Sequence, residues 1–202
     1  NMGMEEKKEM LFWTKDEYTK FSEAMMDKPI SYYAFEMLYW CGIREGELLA
    51  LTPADFNFER GTVSINKSYQ RINKQDVITT PKTPKSIRVI QMPKFLCDEM
   101  QDYFKMFYSL DSDSRIFPIS KNYLHREMAR GSKATGVKRI RIHDLRHSHV
   151  SLLIDMGFTA LAIADRVGHE SIDITFRYAH LFPTRQIEMA DKLDMMRSEK
   201  GA

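Results

Sequence analysis

One short segment of the chain places three side chains where they could bind an anion. His143, Arg146 and His147 occupy positions i, i+3 and i+4, so on a helix they share one face. Basic groups on one face repel each other unless an anion lies among them. The spacing therefore predicts an anion site at these three residues.

A zinc site is the alternative for the same segment, since two histidines four residues apart on a helix can bind this metal. The metalloprotease form of the motif has Glu directly after the first His as its general base, whereas position 144 is Asp. No third ligand is evident in the sequence. The anion site is therefore favoured, and no metal ligand is predicted in the chain.

Two further basic residues stand at turns. Arg44 comes shortly after Gly42, which is predicted to end a helix, and it begins a short helix from which its side chain can project out of the core. Lys82 lies in a tight turn between Pro81 and Pro84. Each has an ordinary alternative: Arg44 as a surface residue paired with a nearby Glu, and Lys82 as a solvated charge.

His169 and Tyr178 lie nine residues apart, late in the chain. Gly168 is predicted to end a helix, which leaves His169 in the break before the next one. Tyr178 lies late in that next short helix, where a tyrosine by itself is usually a half-buried amphipathic residue. Neither residue alone indicates catalysis.

Together these residues resemble the tyrosine recombinase (phage integrase) family. Five features occur in the family's order and approximate spacing: Gly-Ile-Arg-x-Gly-Glu-Leu-Leu-x-Leu (42–51), Pro-Lys-Thr-x-x-Ser-x-Arg (81–88), His-x-x-Arg-His (143–147), Val-Gly-His (167–169) and Tyr178. Position 167 is Val where Leu is commoner in the family. The match extends from about residue 10 to residue 180. The five features together are specific for this family, although each feature alone is not.

By this resemblance, Tyr178 is the nucleophile, which attacks a DNA phosphodiester and forms a 3′-phosphotyrosyl bond. Arg44 and Arg146 bind the non-bridging phosphoryl oxygens, a task that suits the planar and permanently charged guanidinium group. Lys82 is the general acid that protonates the leaving 5′ oxygen. The phosphotyrosyl bond retains the energy of the cleaved backbone bond, so no ATP is needed.

The resemblance also implies a role for each histidine. His143 would take part in proton transfer with Tyr178, because imidazole titrates near neutral pH. His169 would hydrogen-bond the phosphoryl group in the transition state, and His147 would support its neighbours rather than react. Two arginines and a lysine can neutralise the charge that a divalent metal neutralises in many nucleases, so we expect no cofactor.

Basic residues are concentrated in the second part of the chain. The net charge is only +2, but acidic residues outnumber basic ones by 12 to 7 in residues 1–60, and basic residues outnumber acidic ones by 23 to 16 thereafter. The segment 130–146 is especially basic and suits a polyanion. The predicted DNA contacts in it are Lys133, Lys138, Arg139 and Arg141.

Mainly helical elements must position these residues. Hydrophobic periodicity predicts a helix capped by Thr14, a deeply buried helix over 31–40 that Gly42 ends, and a short helix over 44–49. The same periodicity predicts further helices at 95–107, 123–134, 144–156, 160–167, 172–178 and in the tail.

Three β-like runs interrupt the helical pattern, at 62–65, 76–79 and 86–90. They predict a small antiparallel sheet with Lys82 in the turn between the last two strands. The predicted fold class is α+β, mainly α: a helical catalytic domain with a small three-stranded antiparallel sheet.

The chain is predicted to contain one catalytic domain with two appendages. Residues 1–9 are interpreted as a leader, disordered or added for expression, residues 10–182 as the catalytic domain, and residues 183–202 as a tail helix. The tail carries apolar residues on one side, so it is expected to dock either on its own chain or on a neighbouring protomer. By resemblance, the family's N-terminal DNA-binding domains would precede this chain.

The expected partner is double-stranded DNA at an attachment or crossover site. By resemblance, the full-length protein would act as a homotetramer on DNA, and the isolated domain would be a monomer. No apolar run reaches the roughly 20 residues that span a bilayer, and Cys41 and Cys97 are expected to be reduced thiols. The expected location is the bacterial cytoplasm, in association with the nucleoid.

Two other functions remain open from the sequence. A non-catalytic DNA-binding protein would also have a basic patch and helices, and it would not depend on Tyr178. An enzyme of the same chemistry, such as a type IB topoisomerase or a telomere resolvase, would share the catalytic residues. Relaxation of supercoiled plasmid without site preference would identify the topoisomerase.

Overall fold

The computed structural model describes residues 10–198, most of which are helical. The predicted α+β class, mainly α with a small antiparallel sheet, is confirmed. The helices in this range are α1 (Lys15–Glu23), α2 (Pro29–Cys41), α3 (Glu45–Ala50), α4 (Lys94–Lys105), α5 (Lys121–Thr135), α6 (Asp144–Asp155), α7 (Ala160–Val167), α8 (Ile172–Phe176) and α9 (Gln186–Ser198).

The first helices begin and end where the sequence predicts. At α1 the Thr14 hydroxyl accepts a hydrogen bond from the backbone N–H of Glu17 at 3.2 Å, and the Glu17 carboxylate accepts one from the Thr14 N–H at 3.1 Å. α2 ends at Gly42, whose φ of 63° lies in the left-handed region. A Cβ atom at Gly42 would lie 2.5 Å from Cδ2 of His149, so this glycine also lets α6 approach closely.

Two antiparallel sheets replace the single predicted sheet. In the first, β2 (Thr62–Ile65) pairs with β1 (Phe56–Asn57) on one side and β5 (Arg88–Gln91) on the other. In the second, β3 (Ser68–Ile72) and β4 (Gln75–Thr79) form a hairpin. A three-stranded sheet is therefore present, but the predicted strand at 76–79 is not part of it.

The prediction missed β3 because its residues mix polar and apolar types and its second half is exposed, so the alternation is weak. The hairpin turns at Asn73 and Lys74, with φ values of 49° and 65°. Positive φ at both central residues is what the favoured two-residue hairpin turn requires. Local pairing across this turn recruits β4, which is why the 76–79 run does not join β2.

α6 connects the main core with the segments that end the chain. It packs against α2 and α7, and Tyr178 is buried in a second, smaller apolar cluster on its far half. Burying an aliphatic side chain stabilises a fold by about 1.5–3 kcal/mol, so this cluster holds the end of the chain against α6. The aliphatic members of the cluster are Val150, Ile154, Ile163 and Val167.

The tail forms α9, which buries none of its side chains against the part of the chain that the structure describes. Ile187, Leu193 and Met196 are 79%, 66% and 68% exposed. The predicted leader, residues 1–9, lies outside the described residues, as do residues 199–202. Within residues 10–198, no helix combines the length and apolar character that crossing a membrane requires.

Candidate active site

One cavity of about 790 Å³ brings most of the predicted site residues together. Its walls come from the start of α3, the start of α6, the turn after α7 and the segment after α8. The predicted residues that line it are Arg44, His143, Arg146, His147, His169 and Tyr178. Positions far apart in the sequence therefore meet at one place.

A single buried carboxylate, Glu47, holds two arginines at this site. Its Oε1 accepts a hydrogen bond from Arg44 at 3.0 Å, and its two oxygens accept from the Arg88 guanidinium at 3.1 and 3.0 Å. Burial alone would raise the pKa of Glu47, but the hydrogen bonds and charges of Arg88, and then of Arg44, lower it below its usual value. Arg44 thus does pair with a nearby Glu, and this pairing fixes it at the cavity.

Arg146 is buried at the cavity and is only partly hydrogen-bonded. Its Nη1 donates to the carbonyl oxygen of Gly42 at 2.8 Å, whereas its buried Nη2 has no acceptor among residues 10–198. Burial, followed by the charges of Arg44 and Arg88, lowers the pKa of Arg146 to about 9. A buried cationic donor without an acceptor is costly, and an anion would relieve that cost.

Gly168 positions His169 by ending α7 in the left-handed conformation, with a φ of 70°. The His169 side chain is 6% exposed, and its Nδ1 lies 2.7 Å from Oγ1 of Thr175. Burial, followed by the charges of Arg146 and Arg44, lowers the pKa of His169 to about 3. The imidazole is therefore neutral at neutral pH.

Tyr178 is 3% exposed, and its hydroxyl is hydrogen-bonded to Nδ1 of His147. On the other side of the ring, Nε2 of His147 lies 3.8 Å from a carboxylate oxygen of the buried Asp144. Burial raises the pKa of Tyr178 to about 12. Burial, followed by the charge of His143, lowers the pKa of His147 to about 4. A neutral phenol thus contacts a neutral imidazole in the protein without DNA.

His147, and not His143, is the histidine next to Tyr178. The sequence had suggested proton transfer between His143 and Tyr178, with His147 as a support. Instead, the exposed His143 packs edge-on against the His147 ring, with the ring centroids 4.9 Å apart. His143 precedes α6 as its N-cap residue, one turn before His147, and this turn separates it from the tyrosine.

Lys82 is the predicted catalytic residue that the structure leaves apart from the others. It is exposed in the loop between β4 and β5 and does not line the cavity. The hairpin that was not predicted lies directly before this loop, so Lys82 is not in a tight turn between two paired strands.

The four predicted DNA contacts divide into two pairs. Arg139 and Arg141 line the cavity, whereas Lys133 and Lys138 are exposed and do not. Arg141 is anchored by Asp144, whose two carboxylate oxygens accept from its guanidinium at 3.1 and 2.8 Å. Positive side chains therefore flank the cavity, as a polyanion ligand requires.

Besides Glu47, three site residues were not singled out from the sequence. Arg88 shares Glu47 with Arg44, Thr175 contacts His169, and Arg177 lines the cavity beside Tyr178. Arg88 ends the Pro-Lys-Thr-x-x-Ser-x-Arg block, so its place in that block was an available signal. Thr175 and Arg177 are ordinary residue types for a short helix, and only their contacts distinguish them.

The residues considered for zinc are engaged in other contacts. The two ring nitrogens of His147 face Tyr178 and Asp144, and His143 is exposed at the rim. Within residues 10–198, no three His, Cys, Asp or Glu side chains are grouped so that they could hold a metal ion.

The sequence matches the model of the phage integrase family over residues 12–185. It is 34% identical to the ICEBs1 integrase of Bacillus subtilis, over 93% of this chain and 55% of that protein. It is 28% identical to a putative prophage phiRv2 integrase of Mycobacterium tuberculosis, over 91% of this chain and 50% of that protein. The chain thus spans about half the length of these curated relatives.

Solved structures share the fold at lower sequence identity. The Tn1549 transposon integrase, in complex with a circular intermediate DNA, superposes with a TM-score of 0.76 at 20% identity, over 95% of this chain and 67% of that one. The catalytic domain of the bacteriophage HP1 integrase superposes with a TM-score of 0.63 at 19% identity, over 91% of this chain and 95% of that one.

Proposed function

Because this chain belongs to the phage integrase family, we propose that it is the catalytic domain, residues 10–182, of a site-specific DNA recombinase. Its substrate is double-stranded DNA at an attachment or crossover site. The enzyme cleaves and rejoins strands through a 3′-phosphotyrosyl bond, without metal or ATP. One observation carries this proposal: the buried Nη2 of Arg146 has no acceptor within residues 10–198, and it lies in the same cavity as Tyr178.

A DNA phosphate fits this cavity by charge and by hydrogen bonding. Its non-bridging oxygens would accept from Arg146 and Arg44, and Glu47 keeps Arg44 in place. His169 would donate a further hydrogen bond to a phosphoryl oxygen. Such donors stabilise the charge that builds up on phosphorus-bound oxygens during attack. Lys133, Lys138, Arg139 and Arg141 would bind the neighbouring backbone phosphates.

The cleavage step needs the Tyr178 proton to leave as its oxygen bonds to phosphorus. His147 is the group that the geometry supports as acceptor, since its Nδ1 is already hydrogen-bonded to the Tyr178 hydroxyl. Asp144 faces Nε2 and would stabilise the imidazolium that forms. The 5′ oxygen leaves with a proton from Lys82, the exposed lysine of the loop between β4 and β5. Attack of a 5′ hydroxyl on the phosphotyrosyl bond, with the protons moving in reverse, rejoins the strand.

Trapping the covalent intermediate tests this function. In nicked duplex DNA that carries the crossover site, cleavage would release the short fragment that bears the new 5′ hydroxyl, and its loss prevents rejoining. We expect a covalent protein–DNA complex to form equally in buffer and in EDTA, because arginines and a lysine carry the charge. Peptide mapping is expected to find the nucleotide on Tyr178. Linkage to another residue, or dependence on a divalent metal, would contradict the proposal. Relaxation of plasmids without site preference would favour a topoisomerase instead.

We further propose that residues 183–202 dock on a neighbouring protomer in a homotetramer on DNA, while the isolated domain is a monomer. The exposed apolar side chains of α9 support this arrangement, since exposed apolar clusters favour association. Such an enzyme would act in the bacterial cytoplasm, on DNA of the nucleoid.

Deleting residues 183–202 is expected to impair assembly on two sites more than binding to one site. Leu193→Ser should lower the assembly constant by about 10-fold or more, as loss of a buried interface side chain does. Asp191→Ser, on the same helix, is the matched control because Asp191 is polar and exposed. Gel-shift titrations with one-site and two-site DNA measure both constants. An equal fall in the constants for one-site binding and two-site assembly would indicate damage within the protomer.

A further inference from the structure

We propose that Thr175 is a positioning residue that holds His169 in the tautomer with its proton on Nε2, the nitrogen available to the DNA phosphoryl group. This inference rests on the proposed function for its catalytic consequence. The tautomer itself is a property of the protein without DNA. Thr175 is fully buried in α8, three residues before Tyr178.

The hydrogen-bond count around Thr175 decides the direction of its contact with His169. Among residues 10–198, the only hydrogen bond of the Thr175 hydroxyl is the 2.7 Å contact with Nδ1 of His169. If Nδ1 carried the proton, it would donate to Oγ1 and leave the buried hydroxyl proton without an acceptor. If the hydroxyl donates to Nδ1, both groups are satisfied, and the single ring proton lies on Nε2.

This tautomer matters because the His169 ring is neutral. Its pKa is lowered to about 3, by burial first and then by the charges of Arg146 and Arg44. A neutral imidazole has one N–H, so it can donate to a phosphoryl oxygen only if that N–H is on the cavity side. In the other tautomer, Nε2 would present a lone pair to a phosphoryl oxygen and repel it.

Thr175 also links His169 to the nucleophile through its backbone. The backbone N–H of Tyr178 donates to the Thr175 carbonyl oxygen at 3.0 Å. One residue therefore contacts the His169 ring through its hydroxyl and fixes the Tyr178 backbone through its carbonyl. Because a change of side chain leaves the carbonyl in place, the hydroxyl can be tested separately.

NMR of protein labelled with 15N in histidine tests the tautomer directly. The ring nitrogens of His169, assigned with the His169→Gln variant, are expected to show the Nε2–H pattern in the wild type and in Thr175→Ser. In Thr175→Val, which keeps the shape but removes the hydroxyl, a mixture of tautomers is expected. A wild-type ring in the Nδ1–H form would overturn the proposal, whether or not the protein cleaves DNA.

Single-turnover cleavage of the nicked DNA tests the consequence. Removing an oxyanion donor outright costs about 10²- to 10³-fold. Thr175→Val keeps this donor in every molecule whose His169 has the Nε2–H tautomer, so cleavage should slow in proportion to that fraction, by about 2- to 10-fold for a mixture with about 10–50% of it. Thr175→Ser keeps the hydroxyl and should cleave at the wild-type rate. Thr19→Val, on the exposed face of α1, is the matched control for the loss of a threonine hydroxyl.

A double variant separates positioning from structural damage. In a His169→Ala background, Thr175→Val is expected to cause no further loss, because the group that it positions is absent. The same loss in both backgrounds would overturn the proposal in favour of a packing defect. If His169→Ala alone left cleavage unchanged, the role of His169 in the proposed function would fail, and with it the catalytic consequence of the tautomer. The NMR result would still decide on the tautomer.

Discussion

Tyr178→Phe is expected to abolish the covalent DNA complex while leaving DNA binding within about twofold of the wild type. Only the hydroxyl oxygen is removed, and it is the atom that would bond to phosphorus. Loss of a covalent nucleophile costs roughly 10⁴-fold or more in rate. Denaturing gels of the reaction with nicked DNA measure the complex, and gel shifts measure binding.

The same substitution should change stability little. The phenylalanine ring keeps its place among Val150, Ile154, Ile163 and Val167, and loss of the hydrogen bond to His147 costs only about 1 kcal/mol. Tyr108→Phe is the matched control, since Tyr108 is fully exposed. A Tyr178→Phe protein that still formed covalent complexes would disprove the assignment of the nucleophile. A protein that no longer bound DNA would point to a structural role of the hydroxyl.

Arg146→Met is expected to lower cleavage by about 10³-fold and yet to leave the DNA-free protein at least as stable. The lost rate follows from removal of a charged donor to the phosphoryl oxygens. Stability is retained because the DNA-free fold disfavours this charge. The lowering of the Arg146 pKa to about 9, from an ordinary value of 12.5, corresponds to a cost on the order of 5 kcal/mol.

The sign of this cost follows from proton linkage. The pKa of Arg146 is lower in the folded protein than in the unfolded one, so the penalty is fully present below pH 9 and is relieved as the pH rises above it. Methionine fills similar volume without charge, although it gives up the hydrogen bond to Gly42, which contributes about 1 kcal/mol.

Thermal denaturation at neutral pH and single-turnover cleavage at saturating DNA test both parts. Arg60→Lys, at an exposed turn, is the control for loss of a guanidinium elsewhere. A marked fall in the melting temperature of Arg146→Met would contradict the predicted stability, and a normal cleavage rate would contradict the predicted role of Arg146. If Arg146→Met is stable but cleaves slowly, the charge that binds the phosphate is also the charge that destabilises the protein without DNA.

Much of this protein could be predicted from its sequence, because many of its signals are local. Glycines at 42 and 168 predicted the two helix ends that precede Arg44 and His169, and both helices end there in the left-handed conformation. The i, i+3 and i+4 spacing of His143, Arg146 and His147 needs only the geometry of one helix. The order of the family's motifs added Arg44, His169 and Tyr178, which line the same cavity.

Contacts between distant segments could not be predicted in the same way. His147 and Tyr178 are 31 residues apart, and both histidines of the His-x-x-Arg-His block were compatible with the sequence. Only the packing of α6 against α7 and the chain that follows decided which ring meets the hydroxyl. The same holds for Arg88, which reaches Glu47 across 41 residues.

Strand pairing, and with it the place of Lys82, was decided by the tertiary structure for a related reason. Period-2 alternation indicates a strand but not its partner. The turn at Asn73 and Lys74 let β3 capture β4 locally, and Lys82 was left exposed in the loop that follows. The sequence by itself therefore predicted most of the residues that meet at the cavity and the helices that hold them. The tertiary structure decided which of them touch, because those contacts depend on non-local burial and pairing.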